Sequence, residues 1–347
     1  MNDSVKLDRV LLRPDTPILD AMKILNAQSH GQQFLVVVDE RSCLLGTLTD
    51  GDIRRALLSG RSLEGTVNDF MCHDPVFARS DENTESVDKL LASVSSANPF
   101  LPIVDQNMVV NSIKIKGDLH QRELNALVLA GGFGKRLGER TKSCPKSLLH
   151  VDGKPMLEHV LTRLEGIGVS KIFVAVHYLS EQIEEFLVET NREKHTHVLH
   201  ESKPLGTAGA IGLLPQLGDC DLIVSNSDVL TKMDYGVLLK YHQQLRFDAT
   251  VAVADHRVQI PFGVVRHDLE GNFLCVEEKP TLSHYVAAGV YCLRSTFINS
   301  VSRNEYVDMP HLLDRGNKKG LSVGVFPMHE EWCDIGRPED FDTANKS

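Results

Sequence analysis

The chain has 347 residues, 42% apolar and 24% charged, enough to build a core in each of two or three domains, which excludes a disordered chain and a metal-stapled mini-protein. A formal charge of −10 argues against a coat for nucleic acid or acidic lipid, so a polyanionic substrate would need a local basic pocket or a metal ion. Seven scattered cysteines without a CxxC pair, no run near the ~18 apolar residues of a membrane span, and a start, MNDSVKLDRV, without a signal-peptide core lead to the expectation of a cytoplasmic protein with free thiols.

An ungapped repeat at an offset of 66 residues marks the N-terminal part. Arg13, Asp15, Lys23 and Leu25 recur as Arg79, Asp81, Lys89 and Leu91, FLVVVD (Phe34 to Asp39) recurs as FLPIVD (Phe100 to Asp105), and Asp52 recurs as Asp118. Each unit reads as helix, two strands, helix. In the first, Thr16 is expected to cap a helix whose first residue is Pro17, with Ile18, Ala21, Met22 and Leu25 as its apolar stripe. Phe34 to Val38 and Leu44 to Leu48 read as strands, and TDGDIRRALL opens the next helix.

These features, above all GTLTDGDIRRAL (Gly46 to Leu57), resemble a tandem pair of CBS domains over residues 5–119. The resemblance implies that Thr49 and Asp52 contact the phosphate and ribose of an adenosine nucleotide. The chemistry suits that role, since free N–H groups at a helix start attract phosphate and a carboxylate accepts from ribose hydroxyls. The same pair also reads as a plain helix cap. In the second copy Ile115 and Ser112 replace Thr49 and Gly46, so at most one nucleotide site is expected per chain.

The second half opens with a buried strand, NALVLA (Asn125 to Ala130), running into GGFGKRLGERTKSCPKSLLHVDGKP (Gly131 to Pro155). A strand entering a glycine-rich basic loop is a phosphate-binding arrangement, because backbone N–H groups can approach anionic oxygens closely. GxGxxG fails at Leu137, and Walker A fails because Arg136 follows Lys135. Alternating strands and helices follow: Lys171 to Val176, Gln182 to Leu187, Leu222 to Ser225, then Tyr235 to Leu245.

LAGGFGKRL…PKSLLHVDGKPML resembles the signature of the sugar-1-phosphate nucleotidyltransferases, including mannose-1-phosphate and glucosamine-1-phosphate guanylyltransferases. ESKPLGTAGAI (Glu201 to Ile211), NSD (Asn226 to Asp228), PFGVV (Pro261 to Val265), EEKP (Glu277 to Pro280), AAGVYCL (Ala287 to Leu293) and WCDIGRPEDF (Trp332 to Phe341) continue it in order. The fold class expected is α/β, a tandem CBS (Bateman) module at 1–60 and 61–121 joined to a Rossmann-like domain at 122–347 with a mainly parallel mixed sheet. The resemblance implies nucleotide binding by Leu129, Ala130, Gly131, Gly132, Gly134, Lys135, Glu201, Gly206, Thr207 and Ala208. It places the sugar phosphate on Gly263, Glu278, Lys279 and Gly289. Arg136, Lys146 and Asp228 are the expected catalytic residues, and Asp228 with Asp334 the expected ligands of Mg²⁺.

These residue types suit the chemistry. Triphosphate and sugar phosphate crowd several negative charges together, which calls for basic groups and a divalent ion. Two carboxylates plus phosphate oxygens form a Mg²⁺ environment. A phosphomonoester is already anionic, so attack on the α-phosphorus needs no general base. A carboxylate at Glu201 can accept from the adjacent N1–H and N2–H₂ of guanine, which favours GTP over UTP, CTP or dTTP. Plainer readings stand beside these: Arg136 and Lys146 as surface charges, Asp228 and Asp334 as caps, Glu278 and Lys279 as a hairpin ion pair, Glu201 as structural. His195, His197 and His200 alternate on a strand without an evident fourth zinc ligand. Two functional classes follow, a CBS-regulated enzyme of surface-glycan precursor synthesis or a non-catalytic nucleotide-sensing subunit. No nucleic-acid or membrane partner is expected, and apolar CBS helices point to a homo-oligomer.

Overall fold

A computed structural model describes residues 7–28, 34–94, 99–115, 122–336 and 338–345; Asp118 lies outside the described residues. They form two compact units, one of Met1–Arg122 with Leu239–Phe247, the other of Glu123–Leu238 with Asp248–Ser347.

In the first unit the chain runs β1 (Leu11–Leu12), α1 (Ile18–Ala27), β2 (Phe34–Val38), β3 (Leu44–Thr49), α2 (Asp50–Leu58), α3 (Val67–Phe70), β4 (Ala78–Arg79), α4 (Thr84–Ser93), β5 (Phe100–Val104) and β6 (Val110–Ile115). β1 runs parallel to β2, which is antiparallel to β3; β4, β5 and β6 repeat that sheet. The repeat holds register for register. Phe34 faces Thr49 as Phe100 faces Ile115, and both ladders bulge just before Val38 or Val104.

The hairpin turns obey the same symmetry. Asp39 Oδ1 accepts from the amides of Arg41 and Cys43 at 2.9 and 2.8 Å, and Asp105 Oδ1 from those of Asn107 and Val109 at 2.8 and 2.9 Å. Ser42 and Met108, one per turn, both take positive φ. The turns then bond each other: Leu44 N–H donates to Met108 O at 2.8 Å and Val110 N–H to Ser42 O at 3.0 Å. Phe34 stacks on Phe100 with ring centroids 4.0 Å apart and planes 7° from parallel. A pseudo-two-fold axis therefore runs through the core of Val10, Val36, Val38, Val104 and Val110.

One local expectation is corrected. α1 begins at Ile18, not Pro17, and the Thr16 side chain does not cap it; the Ile18 amide donates instead to the Gly65 carbonyl at 3.1 Å. A neighbouring loop meets the need that a cap would otherwise serve.

The second unit contains β7 (Glu123–Leu129), β8 (His150–Val151), β9 (Lys154–Pro155), α5 (Met156–Gly166), β10 (Lys171–Val176), α6 (Ser180–Glu189), β11 (Thr196–His200), α7 (Gly206–Gly209), β12 (Cys220–Asn226) and β13 (Val229–Thr231). It continues through α8 (Tyr235–Gln244), which spans the division, then β14 (Ala249–Gln259), β15 (Val264–His267), β16 (Phe273–Glu277), β17 (Thr281–Arg294), α9 (Ser295–Ile298), α10 (Met309–Lys318), β18 (Val323–Pro327), β19 (Trp332–Asp334) and α11 (Pro338–Ala344). Seven strands form one sheet in the order β11-β10-β7-β12-β17-β14-β18, with β17 alone antiparallel to its neighbours. That is the mainly parallel mixed sheet expected. Both central strands read as near-continuous apolar runs because both of their faces are buried. On one face Leu127, Leu222, Val224 and Leu293 pack against Ile211, Phe297 and Leu312.

Phe34→Ala should destabilise the chain by about 3–5 kcal/mol in urea unfolding, the usual cost of emptying a buried aromatic site. Combined with Phe100→Ala, the loss should fall short of the sum by about 0.5–1.5 kcal/mol, because one stacking contact is shared. Full additivity would show the two rings to be energetically independent.

Candidate active site

After β7 the chain turns to β10 and β11 on one side, then crosses to β12 on the other. The carboxyl ends of β7 and β12 thus flank the reversal of strand order, where open α/β sheets form a crevice. Asn226 is in register with Leu129, and Ser227 N–H donates to Leu129 O at 3.1 Å. Two loops leave this point together: Ala130 to Gly134, then Ser227 and Asp228.

The glycine-rich loop is held by its own side chains. Gly134 has φ +61°, and a Cβ there would lie 2.7 Å from Thr141 Cγ2, so both conformation and space demand glycine. The Thr141 hydroxyl donates to the Gly134 carbonyl at 3.0 Å, and Leu137 is buried beneath the loop. Phe133 lies across the loop, its ring 5.2 Å from Lys135 Nζ and edge-on to His177 at 5.5 Å. Gly132 and Arg136 remain exposed.

Lys146 Nζ forms an ion pair with Asp228 Oδ2, both largely shielded from solvent. β13 leads away from Asp228 and pairs antiparallel with β19, setting Val229 opposite Asp334; Ile335 N–H donates to Asp228 O at 3.3 Å. Asp228, in the turn just before β13, and Asp334, at the end of β19, are the two carboxylates expected to hold metal, and this pairing brings them together. The surrounding protein, then the negative charges of Asp228 and Asp340, hold the Asp334 carboxyl above its ordinary value, against the pull of Lys146 and Arg136. Asp334 is solvent-accessible, so water screens much of this.

Asp340 is a site residue that sequence reasoning did not single out. Asp334 Oδ2, Arg136 Nη1 and Asp340 Oδ2 lie 3.8, 3.9 and 3.9 Å from where a Cβ on Gly336 would stand. Close by, Arg140 pairs with Asp342 at 2.9 Å and lies 4.9 Å from the Phe341 ring. α11 thus brings carboxylates to the basic loop. PEDF carried the signal, acidic residues at a helix start, but not their destination.

Glu201 is half-buried beside the loop. Its Oε2 accepts from Leu205 N–H at 3.0 Å, and its Oε1 lies 3.3 Å from where a Cβ on Gly131 would stand. Burial pushes this carboxyl up, against the Leu205 hydrogen bond and the charge of His177.

The next three expected nucleotide contacts are already engaged in the fold. A Cβ on Gly206, φ +79°, would come within 2.7 Å of Val307 O; Thr207 N–H donates to Asp308 Oδ1 at 3.0 Å; the buried Ala208 donates its N–H to Val307 O at 2.9 Å. In the region assigned to the sugar phosphate, Glu278 Oε2 lies 3.0 Å from a Cβ position on Gly263, and Lys279 follows with φ +47°. Gly289 is separate from them, against the Asn226 side-chain amide.

In the first unit Thr49 and Asp52 form a capping box: Thr49 N–H donates to Asp52 Oδ2 at 2.8 Å and Asp52 N–H to Thr49 Oγ1 at 3.3 Å. Arg55 takes Asp52 Oδ1 at 2.5 Å. Both carboxylate oxygens are therefore engaged. Thr49, Asp52 and Arg55 line a cavity of about 250 Å³ with Thr47, Val76 and Phe100. His197 packs on Phe173 and His200 faces Glu184, and among the described residues no group of three or more His, Cys, Asp or Glu side chains could hold a metal.

A family model for nucleotidyl transferases matches residues 125–347, and one for the CBS domain matches residues 5–59. Mannose-1-phosphate guanylyltransferase catalytic subunit beta of Drosophila pseudoobscura pseudoobscura is 32% identical over 240 residues, 63% of this chain and 61% of that protein. A putative mannose-1-phosphate guanyltransferase of Sulfolobus acidocaldarius is 30% identical over 231 residues, 64% and 62% of the two chains. The chain thus spans less than two thirds of these relatives. The crystal structure of HddC from Yersinia pseudotuberculosis complexed with GMP-PN superposes with a TM-score of 0.50 at 25% identity, covering 64% of this chain and 98% of that one.

A carboxyl raised above its ordinary 4.5, as at Glu201, binds its proton more tightly in the folded chain. The stability this gives is present below that value and lost as pH rises through the raised one. Glu201→Gln should therefore gain stability relative to wild type as pH rises from about 4 to about 7, read by urea unfolding. A pH-independent difference would contradict the shift.

Proposed function

The chain belongs to the nucleotidyl transferase family, and from that premise we propose that it transfers a nucleotidyl group, GMP by preference, from a nucleoside triphosphate to a sugar 1-phosphate with release of pyrophosphate. The observation that carries this reading is the convergence of Lys146, Asp228 and Asp334 at the strand-order reversal, beside a basic glycine-rich loop. Among the described residues the protein supplies fewer than three clustered ligating side chains, so an ion there takes its remaining oxygens from substrate and water. That donor set fits Mg²⁺ held by Asp228 and Asp334. When bound, it would neutralise phosphate charge and polarise the α-phosphoryl group.

The chain's own residues do the rest. Backbone amides from Gly131 to Lys135 receive phosphate oxygens, and Arg136 and Lys146 offset their charge. Lys146 is already oriented by Asp228, so its ammonium is in place before substrate arrives. The sugar phosphate oxygen attacks the α-phosphorus in line, positioned by Glu278 and Lys279, and no side chain needs to remove a proton. Glu201 supports the preference for guanine: its Oε1 faces the Gly131 side and takes no hydrogen bond among the described residues, while Oε2 stays with Leu205. Arg136, Lys146, Asp228 and Asp334 are all present, which argues against a non-catalytic regulatory subunit.

Residues 1–60 and 61–121 are taken as two CBS copies with a regulatory or assembly role, and 122–347 as the transferase. An adenosine nucleotide at Asp52 would have to displace Arg55, whose guanidinium could then meet phosphate. Surface-glycan precursor synthesis in the cytoplasm is the setting that this chemistry suits. Among the described residues no helix is long and apolar enough to cross a membrane.

Asp228→Ala and Asp334→Ala should each slow turnover at least about 100-fold while leaving the fold intact, each removing a charged ligand of the ion. Near-wild-type rates in folded Asp334→Ala would remove its metal role. Pyrophosphate release from the four NTPs with glucosamine-, N-acetylglucosamine-, mannose- and heptose-1-phosphates should show a clear preference for GTP. A preference for UTP, CTP or dTTP would refute the assignment of Glu201. Calorimetry with AMP, ADP and ATP should detect binding to the first unit that Asp52→Ala abolishes; identical isotherms for the two proteins would leave that module an assembly domain.

A further inference from the structure

β7, β10 and β11 lie side by side in the sheet, and the segments that leave their carboxyl ends meet around one half-buried imidazole, that of His177. The β10–β11 ladder closes on Val176 opposite His200, after which Glu201 N–H still donates to Val176 O at 2.9 Å. The next rung is made by a side chain. Nδ1 of His177 lies 2.7 Å from Glu201 O, and because a carbonyl oxygen only accepts, Nδ1 carries the proton and donates. The main chain of Glu201 is thus held at its N–H by the strand and at its C=O by His177.

The same ring touches the glycine-rich loop. Phe133 meets it edge-on, with centroids 5.5 Å apart and planes at 87°, an arrangement that aromatic rings favour. Tyr178 packs on Phe133 at 5.4 Å and donates its hydroxyl to Lys142 O at 2.9 Å, and Gln182 Nε2 donates to Ser143 O at 3.0 Å. The corner between β10 and α6 therefore grips the loop near both of its ends. Gly131 stands between the two contacts of His177: a Cβ there would meet Glu201 Oε1 at 3.3 Å and His177 Cβ at 3.4 Å. One imidazole is the common reference for the Glu201 carboxylate and the phosphate loop.

We propose that His177 is the positioning residue of the nucleotide site, its Nδ1–H fixing where Glu201 stands and its ring fixing where the glycine-rich loop stands. This rests on the reading of Glu201 as the contact to the base and of the loop as the contact to phosphate. The imidazole itself need not touch substrate. Hydrogen bonds weaken steeply as their angle departs from linear, so a Glu201 main chain released from His177 would bond a base less well. The ring contact acts on the phosphates, which every nucleoside triphosphate shares.

Two variants separate these contacts. His177→Phe keeps an aromatic ring and loses the donor, whereas His177→Asn loses the ring and keeps an N–H donor at the same distance from the backbone. Calorimetry with the four NTPs and Mg²⁺ gives the affinities, and steady-state rates give kcat and the KM of the sugar 1-phosphate. His177→Phe should weaken binding of the preferred NTP by about fivefold to tenfold, the worth of one hydrogen bond, and narrow its advantage over the other three by the same factor. His177→Asn should weaken all four alike and leave their ratios at wild-type values. In both variants kcat and the KM of the sugar phosphate should stay within about twofold, since neither contact is specific to the chemical step. Circular dichroism and thermal melting check that each variant is folded. Unchanged ratios in His177→Phe, or losses that fall equally on both substrates and on kcat, overturn the proposal. A wild-type preference for an NTP other than GTP refutes the guanine reading alone, and the same ratios, taken for that nucleotide, still decide the role of His177.

Discussion

Everything at the candidate site depends on the parallel pairing of β7 with β12. The register that puts Asn226 beside Leu129 makes the two strands end together, with Ser227 hydrogen-bonded to Leu129 across the gap. From those ends diverge the loop that can cradle phosphate and the carboxylate that can hold a cation. A one-residue slip would turn every side chain of β12 to the other face of the sheet and take Asp228 out of the crevice. The chemistry therefore rests on an extended apolar ladder that takes no part in it.

The second constraint is charge. Lys146, Arg136, Asp228, Asp334 and Asp340 are close enough for opposite signs to compensate without substrate. On the proposed function, triphosphate and cation would exchange partners within a preset field, which is how electrostatic preorganisation avoids rearrangement during reaction. α11 helps to hold that field through Arg140 with Asp342 and Phe341.

Much of this was legible in the sequence because it is local. The glycine-rich loop follows its strand directly, Asp228 stands just beyond an apolar run, and the 66-residue repeat predicts the paired ladders and turns of the first unit. What was not legible comes from residues distant in sequence. Thr207 is fixed by Asp308, 101 positions away, so a stretch that reads as a nucleotide contact also holds α10 in place. The Gly65 carbonyl supplants the expected Thr16 cap. Asp340 becomes a neighbour of Arg136 only after β19 has paired with β13. Thr49 and Asp52 fit either a ligand contact or a cap by residue type, and the folded backbone uses them as a cap.

On the proposed function, Asp228 and Asp334 together hold the cation through which nucleotide binds. Calorimetric titration of GTP into wild type and the Asp228→Ala/Asp334→Ala double variant, each with and without Mg²⁺, measures this directly. The account predicts that Mg²⁺ tightens GTP binding at least about tenfold in wild type and not in the folded double variant. Equal tightening in both proteins would place the cation elsewhere and contradict it.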